Sequence, residues 1–334
     1  DAAFAWCREL AAKDADQRRT SELPADKIQP AVLEEYRGSL ARRVRGQIAP
    51  QKIVDCVEAA LTRPFAEGLQ IEREKFLECM QSPQSAALRH MFFAEREAAK
   101  VRGLPGDTPL REVNTVGVIG AGTMGSGIAM NFATAGMRVV LLEVNQEALD
   151  KGLGIVDRNY QGGVKRGKMS EEQARECRGR ITGTTDYESL SDADLVVEAV
   201  FENLELKQEI FAKLDAVCRP GAILATNTSY QDVDRIAAAT KRPQDVIGLH
   251  FFSPAHIMKL LEVVRAGKTA DDVLATCMAL AKKIRMTPVG SGVCCGFSGG
   301  RMLGDYAREA RLCVIEGASR EQGDSAREEG GMAV

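Results

Sequence analysis

The chain is poor in the residues that build metal centres and disulfide frameworks. It has three histidines in 334 residues, His90, His250 and His256, and they form no cluster. Its nine cysteines are odd in number, contain no CxxC pair, and include the adjacent Cys294 and Cys295, which cannot easily bridge each other. A metal site is therefore not expected, and the thiols read as those of a reduced, cytoplasmic protein. No apolar run approaches the roughly 18 residues of a membrane span. The first residues, DAAFAWCREL, lack the basic start and long apolar core of a signal peptide, and the missing initiator Met points to a start within a longer protein. A net charge of −3 argues against a nucleic-acid-binding surface.

What the chain does have is VGVIGAGTMGSG, residues 116–127. A short apolar run enters Gly120-Ala121-Gly122-Thr123-Met124-Gly125, and a helical pattern of Ile128, Ala129, Phe132 and Ala133 leaves it and stops at Gly136. A second apolar run, Val139 to Leu142, ends in Glu143. Each part has a physical task in dinucleotide binding. Gly120 permits the tight turn, Gly122 lets a pyrophosphate approach the backbone, and Gly125 lets helix and strand pack closely. The helix N-terminus offers unpaired N–H groups to the phosphates. Glu143 can accept hydrogen bonds from the adenine ribose, and its charge repels a 2′-phosphate, so NAD is expected over NADP.

Residues 1 to about 110 read as helical. Basic residues there (Arg63, Arg73, Lys75, Arg89, Arg96) alternate with acidic ones, which describes a solvated face rather than a basic patch. From Val113 strands and helices alternate, as in a doubly wound α/β sheet. Strands are expected at 181–185, 195–200, 223–226, 246–250, 259–264 and 287–293, with a capping box at Ser170 and Gln173. A helix is expected from Phe297 to Ile315. Beyond Ala318 apolar periodicity is lost, and a frayed tail is expected.

Ligands of open α/β sheets sit at the carboxyl ends of the strands. The candidates at those ends are the segment Phe201-Glu202-Asn203 with Lys207, then Asn227-Thr228-Ser229, then His250. Twelve residues after His250, Glu262 stands among Leu260, Leu261, Val263 and Val264. A buried carboxylate needs a partner, and His250 would supply one, becoming a usable base near neutral pH. The competing reading is a core histidine and a surface Glu on an edge strand. The basic turn Lys165-Arg166-Lys168 fits either an anionic phosphate group or, more simply, a solvated helix-hairpin tip.

GAGTMGSGIA, VVEAVFENLELK, ATNTS, HFFSPAHIMKLLEVV and GFSGGRML together resemble the 3-hydroxyacyl-CoA dehydrogenase family, with the best agreement to its bacterial multifunctional fatty-acid-oxidation members, over residues 40 to about 317. The resemblance implies a Rossmann-type NAD domain at 111–295, preceded at 1–110 by the helical end of an enoyl-CoA hydratase module plus linker, and followed at 296–334 by the start of an all-α domain. It implies that His250 is the catalytic base, Glu262 its orienting partner, and Ser229 a hydrogen-bond partner of the substrate oxygen. Gly120, Gly122, Met124, Gly125, Glu143, Val200, Glu202, Lys207, Ser229 and Ser253 then belong to the cofactor site. The implied substrate is an acyl-CoA, and the implied partner in the intact complex is a thiolase subunit.

The chain departs from the family pattern where Ser253 replaces Asn in HFFNP and where Gly300 replaces an active-site Asn in GFIGNRML. Residues upstream that would carry hydratase carboxylates are absent, so hydratase activity is not expected. Two other readings stay open: a non-catalytic NAD-binding fragment, and a dehydrogenase of a small β-hydroxy acid. The His–Glu spacing counts against the latter, whose members resemble a lysine-based design.

Overall fold

The computed structural model describes residues 2–12, 20–23, 28–44 and 46–330. The chain separates into two compact units, 1–94 and 95–334. The first is helical: α1 (Ala2–Ala12), α2 (Pro30–Arg43), α3 (Ala49–Thr62) and α4 (Phe65–Gln81), with α5 (Pro83–Ala98) running past the boundary. Its small core includes Leu40, Val54 and Ala59. Arg37 ties α2 to α3 through Asp55 at 2.7 Å and Glu58 at 2.8 Å, and Lys52 meets Glu78 at 2.7 Å. Opposite charges thus pair between neighbouring helices of this unit.

The second unit is built on one eight-stranded sheet: β1 (Thr115–Ile119), β2 (Arg138–Leu142), β3 (Ile181–Thr184), β4 (Leu195–Glu198), β5 (Ile223–Thr226), β6 (Val246–Phe251), β7 (Leu260–Arg265) and β8 (Thr287–Gly292). The order is β3-β2-β1-β4-β5-β6-β7-β8. The first six strands are parallel; β7 runs antiparallel to β6, and β8 parallel to β7. The strand order reverses between β1 and β4, the switch point at which doubly wound sheets bind ligands. Helices α6 (Thr123–Thr134), α7 (Gln146–Lys165), α8 (Glu171–Gly179), α9 (Leu204–Val217), α10 (Val233–Ala237) and α11 (Asp271–Lys283) join the strands.

Strand side chains alternate between the two faces, and the cores divide accordingly. Val116, Val118, Leu195, Val197, Leu249, Leu261 and Val263 pack in one cluster with residues of α6, α7 and α11. Ile119, Val196, Leu224, Val246 and Val264 pack in the other with Ile210, Phe211 and Leu214 of α9 and Ile236 of α10. By the same parity Glu198, Thr226, His250 and Glu262 point to the second face. One rule of geometry therefore places four polar side chains of three neighbouring strands and β7 on one side.

The capping box of α8 forms as expected from Ser170 and Gln173. The C-terminal expectation is corrected. After α12 (Gly299–Ile315), residues Arg320–Glu329 form α13, opened by a second capping box of Ser319 and Gln322. Helix-favouring Arg, Glu, Gln and Ala with two satisfied cap donors suffice there without apolar periodicity. Residues 331–334 of the expected tail lie outside the described residues.

Candidate active site

The glycine turn joins β1 to α6. Gly120 has φ +95°, a conformation that disfavours any Cβ. A Cβ on Gly125 would lie 1.7 Å from the carbonyl oxygen of Gly120, so only glycine lets α6 start this close to the turn. Gly122 caps α6 without a side-chain hydrogen bond, and a Cβ there would meet no protein atom, so the space before the helix N-terminus stays open. Beside it lies a cavity of about 560 Å³ lined by Gly120, Gly122, Met124, Glu143, Val200 and Tyr187, among others. Glu143 sits at its rim, accepting from the backbone N–H groups of Ala121 and Val144, each at 2.8 Å. A glycine cradle, an uncapped helix N-terminus and an adjoining cavity with a carboxylate fit a dinucleotide's phosphates and adenosine.

On the other side of the switch point three strand ends converge. Glu202, after β4, accepts from the Thr228 hydroxyl and from the N–H groups of Ser229 and Tyr230, each at 3.0 Å. These bonds fix the turn after β5 that carries Ser229. Burial opposes the charge on Glu202, but its bonds to that turn and the Lys207 ammonium outweigh it and hold the carboxyl below its ordinary pKa. Asn227 accepts from Phe251 N–H at 2.8 Å, joining the turn to the end of β6. Asn203 caps α9.

His250 on β6 and Glu262 on β7 are paired in register, and Nδ1 lies 2.6 Å from Oε2. Glu262 is fully buried and its strand lies between β6 and β8, which removes the edge-strand reading. The other oxygen of Glu262 accepts from Ser298 N–H at 2.9 Å and Gly299 N–H at 2.8 Å. Burial pushes this carboxyl toward the neutral form, but the bonds from His250, Gly299 and Ser298 outweigh it, so its pKa is lowered. Its contribution to stability is complete above the unfolded carboxyl's pKa and is lost as pH falls through the lower folded value. Because Glu262 accepts the hydrogen bond of Nδ1–H, Nε2 of His250 is left as the acceptor. Phe252 and Phe297 flank the ring, with centroids 4.6 and 5.7 Å away.

The remaining expected residues fall as follows. Ser229 is half-buried on the Glu202-bound turn, Ser253 is exposed just past β6 before a cis Ser253–Pro254 bond, and Gly300 lies in the first turn of α12. Lys207 is not open to a ligand: it is fully buried, 2.7 Å from Glu198 and 3.6 Å from Glu202. Glu198, Tyr230, and the N–H groups of Ser298 and Gly299 were not singled out from the sequence. His90 is exposed on α5, and His256 keeps a buried Nδ1 without a hydrogen-bond partner. Burial and the nearby Arg166 lower the His256 pKa, and no carboxylate orients its ring. Among the described residues no group of His, Cys, Asp and Glu is arranged to hold a metal ion.

A dinucleotide cradle at the switch point beside a carboxylate-oriented imidazole defines the class of nicotinamide-dependent oxidoreductase domains. Residues 115–293 match the description "3-hydroxyacyl-CoA dehydrogenase, NAD binding domain", and the chain belongs to the 3-hydroxyacyl-CoA dehydrogenase family. It is 39% identical to the peroxisomal bifunctional enzyme of Cavia porcellus, over 99% of this chain and 46% of that protein. It is 37% identical to the glyoxysomal fatty acid β-oxidation multifunctional protein MFP-a of Brassica napus, over 100% of this chain and 47% of that protein. The chain thus spans less than half the length of these curated relatives. The crystal structure of (S)-3-hydroxybutyryl-CoA dehydrogenase from Ralstonia eutropha superposes with a TM-score of 0.64 at 35% identity, covering 66% of this chain and 78% of that one. NAD is accordingly the cofactor of the second unit's fold. No helix among the described residues is long and apolar enough to cross a membrane.

Proposed function

We propose that this chain oxidises (S)-3-hydroxyacyl-CoA to 3-oxoacyl-CoA with NAD as part of fatty-acid β-oxidation. The observation that carries the reading is the 2.6 Å His250–Glu262 pair at the strand end adjoining the Ser229 turn. NAD, when bound, supplies the acceptor for the hydride that leaves C3 of the substrate. His250 Nε2 takes the proton of the 3-hydroxyl, and Glu262 stabilises the imidazolium that results. The Ser229 hydroxyl holds the substrate oxygen in line, and Ser253 adds a shorter donor than the family's Asn. Met124, Val200 and Glu202 flank the cofactor, with Lys207 acting from beneath through its carboxylate partners.

The domain reading belongs to the same proposal: the helical end of a hydratase module and a linker at 1–110, the NAD domain at 111–295, and the start of an all-α domain at 296–334. The product is what a thiolase cleaves, which makes a thiolase subunit the proposed partner. The free thiols suit a reducing compartment, proposed as the cytoplasm; peroxisomal and glyoxysomal are the relatives' own descriptions. The exposed Lys165-Arg166-Lys168 turn between α7 and α8 is read as a solvated hairpin tip.

The test is oxidation of NADH by acetoacetyl-CoA, run beside NADH binding. Binding without turnover favours the second reading, a non-catalytic NAD-binding fragment, which the missing side chain at Gly300 supports. Glu143 carries a further prediction. NADH is expected to bind at least about tenfold more tightly than NADPH, because a 2′-phosphate would face the carboxylate. Fluorescence titration measures this, and equal or tighter NADPH binding removes Glu143 as the ribose ligand.

A further inference from the structure

Beneath the Ser229 turn lies a charge arrangement that the hydride-transfer chemistry above does not use. Lys207 and Glu198 have no exposed side-chain surface. Glu198 accepts from Lys207 Nζ at 2.7 Å and Val200 N–H at 2.8 Å on one oxygen, and from the Thr226 hydroxyl at 2.7 Å on the other. Glu202, with 36% of its side chain exposed, lies 3.6 Å from the same ammonium. Each of these bonds places a donor on a carboxylate oxygen, so both acids serve as acceptors. Two carboxylates share one ammonium, and the trio keeps one net negative charge. Its cation is sealed below, while Glu202 faces the site.

Position gives that charge a use. In a doubly wound sheet the dinucleotide spans the switch point. Glu143 at the end of β2 marks the adenosine end of a 560 Å³ cavity that reaches across β1 to Val200 and Phe201 after β4, so a bound dinucleotide would carry its nicotinamide half onward to the ends of β4 and β5, where Glu202 and Ser229 stand. We propose that the Glu198–Lys207–Glu202 trio is a fixed negative charge that favours the oxidised, positively charged nicotinamide over the neutral reduced ring. The proposal rests on the dehydrogenase reading above.

A clamp that merely held the Ser229 turn would affect both forms of the cofactor alike, so the ratio of their affinities separates the two roles. A unit charge at roughly 10 Å, with an effective dielectric near 20, changes an equilibrium about tenfold. The dissociation constants of NAD⁺ and NADH are to be measured by calorimetry and fluorescence for four proteins. These are the unaltered chain, Glu202→Gln, Lys207→Met, and the double variant Glu198→Gln/Lys207→Met. The trio's charge is then −1, 0, −2 and −1. Kd(NAD⁺)/Kd(NADH) is expected to rise about tenfold in Glu202→Gln and to fall about tenfold in Lys207→Met. It should stay at the unaltered value in the double variant. Tenfold corresponds to about 30 mV in the two-electron potential of the bound couple. Lys207→Met leaves the buried Glu198 and the partly exposed Glu202 without a cation and is the variant most exposed to misfolding; if it does not fold, Glu202→Gln against the double variant decides. An unmoved ratio, or both affinities falling together, overturns the inference and leaves the trio a clamp. Absence of NADH binding by the unaltered chain overturns the dehydrogenase reading and this inference with it.

Discussion

His250→Gln is expected to lower turnover of acetoacetyl-CoA by about 10²–10⁴ while NADH binding stays within about twofold of the unaltered chain. Glutamine keeps a planar, hydrogen-bonding side chain of similar reach, so Glu262 retains a donor and is not left as an unpaired buried charge. What is lost is the nitrogen that exchanges a proton with the substrate oxygen. The other two histidines sharpen the test. His90 is solvent-exposed on α5, which holds none of the assigned site residues, and His90→Gln should leave the rate unchanged. His256 has no orienting acid, and its buried Nδ1 lacks a partner. Single-turnover kinetics under saturating NADH isolates the chemical step. An intact rate in His250→Gln with NADH bound would show that the imidazole is not the base.

The residues that made this site legible in the sequence are those whose chemistry conflicts with their surroundings. Glu262 stands in an apolar strand, and the cost of burying it unpaired points to a partner; the register of β6 against β7 supplies His250 directly across. The glycine turn is legible for a similar reason, since a Cβ at position 125 has nowhere to go. Glu198 stood in an equally apolar strand and called for the same reasoning. Its partner Lys207 is nine residues on, in the first turns of a helix whose outward look is that of any amphipathic surface helix, and local sequence does not say that α9 turns that residue inward. The clamp of Glu262 by Ser298 and Gly299 was illegible for another reason. It is made by backbone N–H groups, which every residue but proline possesses, so no side-chain pattern announces it. The final helix was missed because apolar periodicity was weighed above capping, and α13 buries none of its residues.

The same clamp gives position 300 its significance and leads to the second large effect. Gly299 donates its N–H to Glu262, and Gly300 follows it in the first turn of α12. A Cβ on Gly300 would have only Tyr230 near it, with Cε1 at 3.9 Å, an ordinary contact. A side chain there therefore has room, and it would stand between the turn bearing Ser229 and the pair that orients His250. In carbonyl reduction negative charge grows on the substrate oxygen as hydride arrives, and each donor held in line lowers that barrier. Loss of one such donor typically costs about 10²–10³ in kcat. Gly300→Asn restores an amide donor and removes backbone freedom worth up to about 1 kcal/mol at a helical position. It is expected to raise kcat on acetoacetyl-CoA by about 10²–10³ with little change in NADH affinity. Gly299 offers the contrast: a Cβ there would lie 2.8 Å from Phe252 Cζ, so Gly299→Asn should disturb the aromatic wall of His250 and give no gain. The comparison is to be made in this chain and in one extended by the all-α domain whose start is proposed at 296–334. If Gly300→Asn gives no gain in either, with NADH bound, then position 300 does not face the substrate oxygen and GFSGGRML does not contribute the donor assigned to it here.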